Sequence, residues 1–157
     1  MLGLVWGLVG CGFNVQTAQP YTPADGVNAD IGSVNVRNLM ILSRQNGSGF
    51  VSASLEAEEQ DTLTAVSGVA LKPDGTPGQP LTVTMAGPVT LPAFQLMVLT
   101  NLPGITVASP DLIVGLEARL ELTFSKAGKL TIVVPVVDAT LPGYETVTPK
   151  PAATPSV

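Results

Sequence analysis

The sequence predicts an all-β protein, an immunoglobulin-like antiparallel β-sandwich of about seven to eight strands. Three observations favour this fold class. Val, Thr, Leu and Ala dominate the segments between turns, and this mixture suits short strands better than helices. The 16 Gly and 14 Pro residues are spread along the chain and mark frequent turns. Several segments alternate apolar and polar residues with a period of two, as half-buried strands do.

The strands follow in order from that alternation. The clearest segment is 116–124, where Leu alternates with Glu, Ala and Arg, so a helix is not competitive there. The acidic segment 56–61 is expected to be an exposed connection between the sheets. Pro92 and Pro103 interrupt an apolar region, which predicts only short edge strands between 90 and 106. The main strands are expected within 31–42, 50–55, 63–71, 81–85, 116–124 and 129–137.

Four parts of the chain differ in composition. Residues 1–10 are uncharged and apolar, as in a signal peptide, and residues 11–29 resemble a flexible polar tether that begins with a lipidated cysteine. Residues 30–139 carry the strand pattern of the sandwich. Residues 140–157 form a Thr/Pro-rich tail, which we expect to be extended and disordered.

The one cysteine of the chain, Cys11, follows the apolar run directly. The stretch Leu8-Val9-Gly10-Cys11 resembles the lipobox of bacterial lipoproteins. This resemblance implies cleavage after Gly10 and a diacylglycerol on the Cys11 thiol, which would anchor the protein to the outer face of the cytoplasmic membrane. The apolar run is too short to span a bilayer, which takes about 20 residues. The alternative is a small buried cysteine near the start of a domain.

Composition excludes several functions. The chain contains no histidine and one cysteine, which rules out Ser-His-Asp triads, Cys-His dyads and histidine-based metal sites. A net charge of −5 with no basic stripe argues against nucleic acid as a partner. The acids are few and scattered, so a carboxylate pair for glycoside hydrolysis is not expected. We therefore predict a protein that is not an enzyme and carries no cofactor except the covalent lipid.

Two further segments are candidate binding sites. The apolar stretch 92–99 offers Phe94, Leu96 and Met97 as a partner surface, with packing inside the sandwich as the alternative. The carboxylates of segment 56–61 supply oxygen ligands of the kind that Ca²⁺ prefers, although we favour their interpretation as a solvated acidic turn.

Two blocks, 47–69 and 120–136, resemble the periplasmic copper chaperones of the PCu(A)C type, and the second includes a Ser-Lys-Ala-Gly hairpin turn. Together with the lipobox and the Thr/Pro-rich end, they are most similar to the actinobacterial LpqE-like lipoproteins. That resemblance implies a non-catalytic accessory subunit of a respiratory supercomplex, in which a menaquinol–cytochrome bcc reductase joins a cytochrome oxidase. The alternative is a metal- or small-ligand-binding lipoprotein descended from copper chaperones. The chaperone histidines are absent, which leaves the thioethers of Met85 and Met97 as soft ligands.

Overall fold

The computed structural model describes residues 25–151 and confirms the all-β class. Its five strands of eight or more residues overlap five of the six main segments predicted from the sequence. The additional strands are two to five residues long, and several lie where prolines interrupt the pattern. Within the described residues a single 3₁₀ turn covers Leu99–Asn101. The strands are β1 (Val27–Ile31), β2 (Val34–Gln45), β3 (Ser48–Ala57), β4 (Asp61–Leu71), β5 (Pro77–Pro80), β6 (Thr82–Thr84), β7 (Val89–Leu91), β8 (Met97–Val98), β9 (Thr106–Ala108), β10 (Glu117–Phe124) and β11 (Gly128–Asp138).

Strand β11 joins the two layers of the sandwich. Its first part pairs antiparallel with β10, from Gly128 to Pro135. Beyond Pro135 it pairs in parallel with β2, which departs from the predicted antiparallel arrangement. Pro135 has no N–H to donate, and the next residue, Val136, still donates its N–H to the carbonyl of Leu116, just before β10, at 2.9 Å. The path of paired strands therefore runs continuously through both layers, in the order β5-β4-β10-β11-β2-β3-β9-β6.

The main core lies between the layers, and β2 contributes to it in an unusual way. Val36 faces this core before a register shift in the β2–β3 pairing, and Leu39 and Ile41 face it afterwards. Asn38, at the shift, has a left-handed backbone with φ of +52°. Such a bulge changes which residues point inward. The continuous apolar run after Asn38 is explained because both faces of β2 are covered there.

The outer face of β2 and β3 is covered by residues 139–151, which we call the C-terminal strap. A second, smaller apolar cluster forms there from Met40, Leu42, Phe50 and Ala139, with Tyr144 and Val147 packed on it. The sequence predicts a disordered tail over residues 140–157, and within the described part of it Tyr144 and Val147 pack on the sheet. The reason is tertiary, since the strap covers apolar side chains on an outer sheet face that would otherwise be in water.

Hydrogen bonds hold the strap in its middle and near its C-terminal end. Arg44 donates to the carbonyls of Glu145 and Val147, each at 3.1 Å. Gly104 donates its N–H to the carbonyl of Lys150 at 3.0 Å. At Gly104 a Cβ would lie 2.3 Å from Pro149, so only glycine permits this approach. The strap is thereby attached to the segment that leads into β9.

A buried carboxylate connects β4 to the β10–β11 turn. Asp61 is only 2% exposed, so the prediction of an exposed acidic segment 56–61 is wrong at this residue, whereas its glutamates are exposed. The carboxylate accepts four hydrogen bonds of 2.7–2.9 Å. Oδ1 accepts from the Thr62 N–H, the Ser125 hydroxyl and the Lys126 N–H, and Oδ2 accepts from the Ala127 N–H.

These hydrogen bonds determine the ionisation of Asp61. Burial is the largest single influence and would raise the pKa of the carboxyl. The four donors stabilise the charged form and together outweigh burial, so the pKa of Asp61 lies below its usual value of 3.8. The folded protein therefore holds Asp61 as a carboxylate at neutral pH.

We expect Asp61→Asn to lower the free energy of unfolding by about 2–4 kcal/mol at pH 7, because an amide NH₂ would face donors that now share a carboxylate. A carboxyl with a lowered folded pKa contributes stability above its unfolded pKa and loses that contribution as pH falls through the folded value. The difference between wild type and variant should therefore shrink below pH 3.8. Urea unfolding at several pH values measures both effects.

Asp74→Asn is the matched control for that experiment. The Asp74 carboxylate also accepts hydrogen bonds, from the N–H and the hydroxyl of Thr76, but it lies in an exposed loop. Its replacement should change stability by no more than about 0.5 kcal/mol. Equal effects of the two substitutions would show that the Asp61 network contributes nothing particular to the fold.

Candidate functional site

The apolar stretch singled out from the sequence forms a loop between β7 and β8, and residues 92–96 are called the 92–96 loop. The two flanking strands belong to different layers. Leu91 of β7 pairs with Asp61 of β4, and Met97 of β8 pairs with Leu55 of β3. The loop therefore crosses from one sheet to the other at the end of the sandwich, with both of its ends fixed.

Backbone contacts to the end of β3 fix the conformation of the loop. Ala93 forms an isolated parallel bridge with Ala57. Phe94 donates its N–H to the carbonyl of Ala57 at 2.7 Å, and its backbone is left-handed with φ of +57°. A bulky residue in this region costs roughly 1–2 kcal/mol, so the surrounding contacts must impose it.

This conformation leaves two large apolar side chains in water. Phe94 is 74% exposed and Leu96 is 63% exposed. Met97 is half-buried and packs against the main core. The alternative that the whole stretch packs inside the sandwich is therefore wrong for Phe94 and Leu96, although it describes Leu99, which is buried. That the three residues form a partner surface stays a prediction.

A shallow groove of about 280 Å³ is lined in part by Met97, the residue that directly follows the loop. Its walls come from the segment before β7 and from the segment after the 3₁₀ turn. Thr90 is the one lining residue with a polar side chain. The groove is lined by Ala86, Gly87, Pro88, Val89, Thr90, Met97, Leu102 and Pro103. We call Phe94, Leu96 and this groove together the apolar surface.

The sequence alone did not indicate the groove. Residues 86–90 and 102–103 are small, proline-rich segments without periodicity, and they meet only because β7 and the segment after the 3₁₀ turn lie side by side. One signal was available, since the prolines in both segments indicated irregular backbone. Spatial proximity of the two segments required the sheet topology.

A metal site would have few ligands available here. Met85 and Met97 are both half-buried and both pack against the main core, as methionines that fill gaps do. Within residues 25–151 no cluster of three or more Asp, Glu, Cys or His side chains could hold a metal ion. Any metal bound near Met97 would therefore depend on thioether sulfur, which favours a soft ion such as Cu(I).

Cys11, the predicted lipidation site, lies outside the described residues, as does most of the predicted tether. The chain enters the described region at Asp25, whose carboxylate accepts a hydrogen bond of 2.7 Å from the Tyr144 hydroxyl of the strap. Burial and this hydrogen bond raise the pKa of Tyr144 above 10.0. No helix between residues 25 and 151 has the length and hydropathy needed to cross a bilayer.

No protein-family model and no curated protein matches the sequence. Among solved structures, the apo PCuAC domain from PmoF1 aligns with a TM-score of 0.54 and 20% identity over 71% of this chain and 98% of that domain. The copper-bound PCuAC domain from PmoF2 aligns with a TM-score of 0.53 and 16% identity, over 71% of this chain and 98% of that domain. At these identities the likeness shows a shared fold.

Proposed function

We propose that this chain is a non-catalytic lipoprotein that binds another protein through the apolar surface. The observation that supports this most directly is the exposure of Phe94 and Leu96, two large apolar side chains in the loop that leads to Met97 in the groove wall. We further propose that the protein is an accessory subunit of an actinobacterial respiratory supercomplex. That finer assignment rests on the similarity of the lipobox and the two sequence blocks to LpqE-like lipoproteins.

The exposed side chains contribute free energy to binding when a partner removes them from water. Burying a Phe or Leu side chain contributes about 1.5–3 kcal/mol. Aromatic anchors in well-packed pockets are common among the residues that dominate binding energy. The groove next to Met97 in turn offers a place for an apolar side chain of the partner. The apolar surface thus offers a partner two exposed side chains to cover and a groove to fill.

We expect the double variant Phe94→Asn and Leu96→Ala to lose at least about tenfold of its partner binding, since about 3 kcal/mol of apolar burial disappears. Asn tolerates the left-handed backbone at position 94, so the turn should persist. The measurement is co-purification of bcc reductase and oxidase subunits with the tagged lipoprotein from native membranes in mild detergent, quantified by mass spectrometry.

The matched control is the double variant Ile113→Ala and Leu141→Ala. These residues are also exposed apolar side chains, at 39% and 50%, but they lie outside the apolar surface. The control should retain the wild-type ratio of co-purified subunits. Equal recovery with both double variants would contradict binding through the 92–96 loop, and no enrichment with the wild type would contradict the accessory-subunit proposal itself.

The lipid anchor is a separate part of the proposal. We expect Cys11→Ser to prevent incorporation of an alkyne-labelled fatty acid and to shift the protein from the membrane to the soluble fraction, because the acyl chains provide the anchoring energy. Gel fluorescence after labelling, with membrane fractionation, measures both. Persistent labelling of the variant would contradict Cys11 as the lipidated residue.

Copper binding is the second candidate function. It is favoured by the shared fold with the copper-bound PCuAC domain from PmoF2, and by Met97 in the wall of the groove. Against it stands the half-buried packing of Met85 and Met97, which fill space beside the core. A Cu(I) site here would have to use ligands quite different from imidazole, since the chain has none.

We expect no tight 1:1 endpoint when the purified protein is titrated with Cu(I) in the presence of a competing chromophoric chelator. Met85→Leu with Met97→Leu conserves volume, so it should cost less than about 1.5 kcal/mol of stability and leave the titration unchanged. A stoichiometric endpoint that this variant abolishes would instead favour the copper-binding function.

A further inference from the structure

We infer that the apolar surface selects a protein partner whose apolar socket is rimmed by Lys or Arg side chains. This inference rests on the proposed function and specifies the partner for the same surface. It follows from the position of three exposed glutamates, Glu56, Glu58 and Glu59, which occupy the end of β3 and the connection to β4.

These glutamates lie beside the residue that holds the 92–96 loop. Ala57, between Glu56 and Glu58, accepts the Phe94 N–H and bridges Ala93. Glu58 in turn donates its N–H to the carbonyl of Ser33 at 2.8 Å, which fixes the start of the connection. The backbone that carries the carboxylates is therefore attached directly to the backbone that carries Phe94.

The negative charge at this end is largely uncompensated. Among residues 25–151 the ion pairs are Arg37 with Asp30 and Lys129 with Glu121, so none of the three glutamates takes part in one. Lys126 lies in the nearby β10–β11 turn, but the ionised Asp61 beside it offsets that charge. Three carboxylates outside any ion pair thus lie on the backbone segment to which the 92–96 loop is hydrogen-bonded.

This arrangement discriminates between occupants of the surface. A second copy of the chain would bring a second set of carboxylates against the first, and like charges across an interface cost energy. A bilayer rich in anionic lipid would repel the same carboxylates within a Debye length of about 8–10 Å. A protein socket rimmed by basic residues would be attracted, with the apolar pair buried at its centre and the charges at the rim.

Rim charges mainly change the association rate, whereas buried anchors mainly change the dissociation rate. The test therefore measures both rates. The wild-type lipoprotein is immobilised in detergent and exposed to purified bcc–oxidase assembly that has been stripped of this subunit, at low and high salt. We expect the triple variant E56Q, E58Q and E59Q to associate roughly tenfold more slowly at low salt and to lose most of the salt dependence, with an almost unchanged dissociation rate.

The matched control neutralises three exposed carboxylates elsewhere, with D74N, E117Q and E145Q. Both triple variants have the same net charge, so an effect confined to the first identifies the position of the charges. If wild type binds the assembly and both triple variants keep its association rate and salt dependence, the inference is overturned while the proposed function stands. If wild type does not bind the assembly, the proposed function fails and the inference fails with it.

Two further measurements address the other occupants. The Cys11→Ser variant, which lacks the proposed anchor, is mixed with vesicles of phosphatidylcholine and phosphatidylglycerol to measure membrane binding. Its self-association without vesicles is followed by sedimentation. We expect neither vesicle binding nor dimerisation. Vesicle binding or dimerisation that the Phe94→Asn and Leu96→Ala variant abolishes would overturn the inference in favour of a membrane or of a second copy.

Discussion

The carboxylate of Asp61 is the contact on which the arrangement of this end of the molecule depends. It binds the turn between β10 and β11, and its own backbone pairs with Leu91 at the end of β7. The 92–96 loop begins at the next residue. One buried charge therefore positions a hairpin turn and the start of the candidate binding surface. Its four hydrogen bonds offset the free-energy cost of burying the charge.

The second constraint is the sharing of β11 between the layers. Its pairing with β10 ends at Pro135, and its pairing with β2 begins at Val136. Beyond β11 the chain continues as the strap, which crosses the outer face of β2 and reaches Gly104. Gly104 follows Pro103 in the wall of the groove. The strap is thus linked to the groove by one backbone hydrogen bond, from Gly104 to Lys150, and Gly104 is covalently bonded to Pro103 of the groove wall.

Sequence periodicity predicted the β10–β11 hairpin well because strict alternation over 116–124 admits one buried face. It could not predict the exposure of Phe94, because an apolar run looks the same whether it packs inside or projects. The outcome depends on the pairing of β7 and β8 with different sheets. The burial of Asp61 could not be predicted from the sequence either, where it follows three glutamates. It depends on the N–H donors of Lys126 and Ala127, more than 60 residues away.

The likeness to PCuAC domains concerns the scaffold, and a scaffold does not determine what its surface binds. Residues 47–69 and 120–136 meet at Asp61 and the β10–β11 turn, in a hydrogen-bonded contact that stabilises the fold. Phe94 adds a distinct argument: its left-handed backbone and its exposure both cost free energy in the isolated protein, and covering the side chain by a partner recovers the second cost.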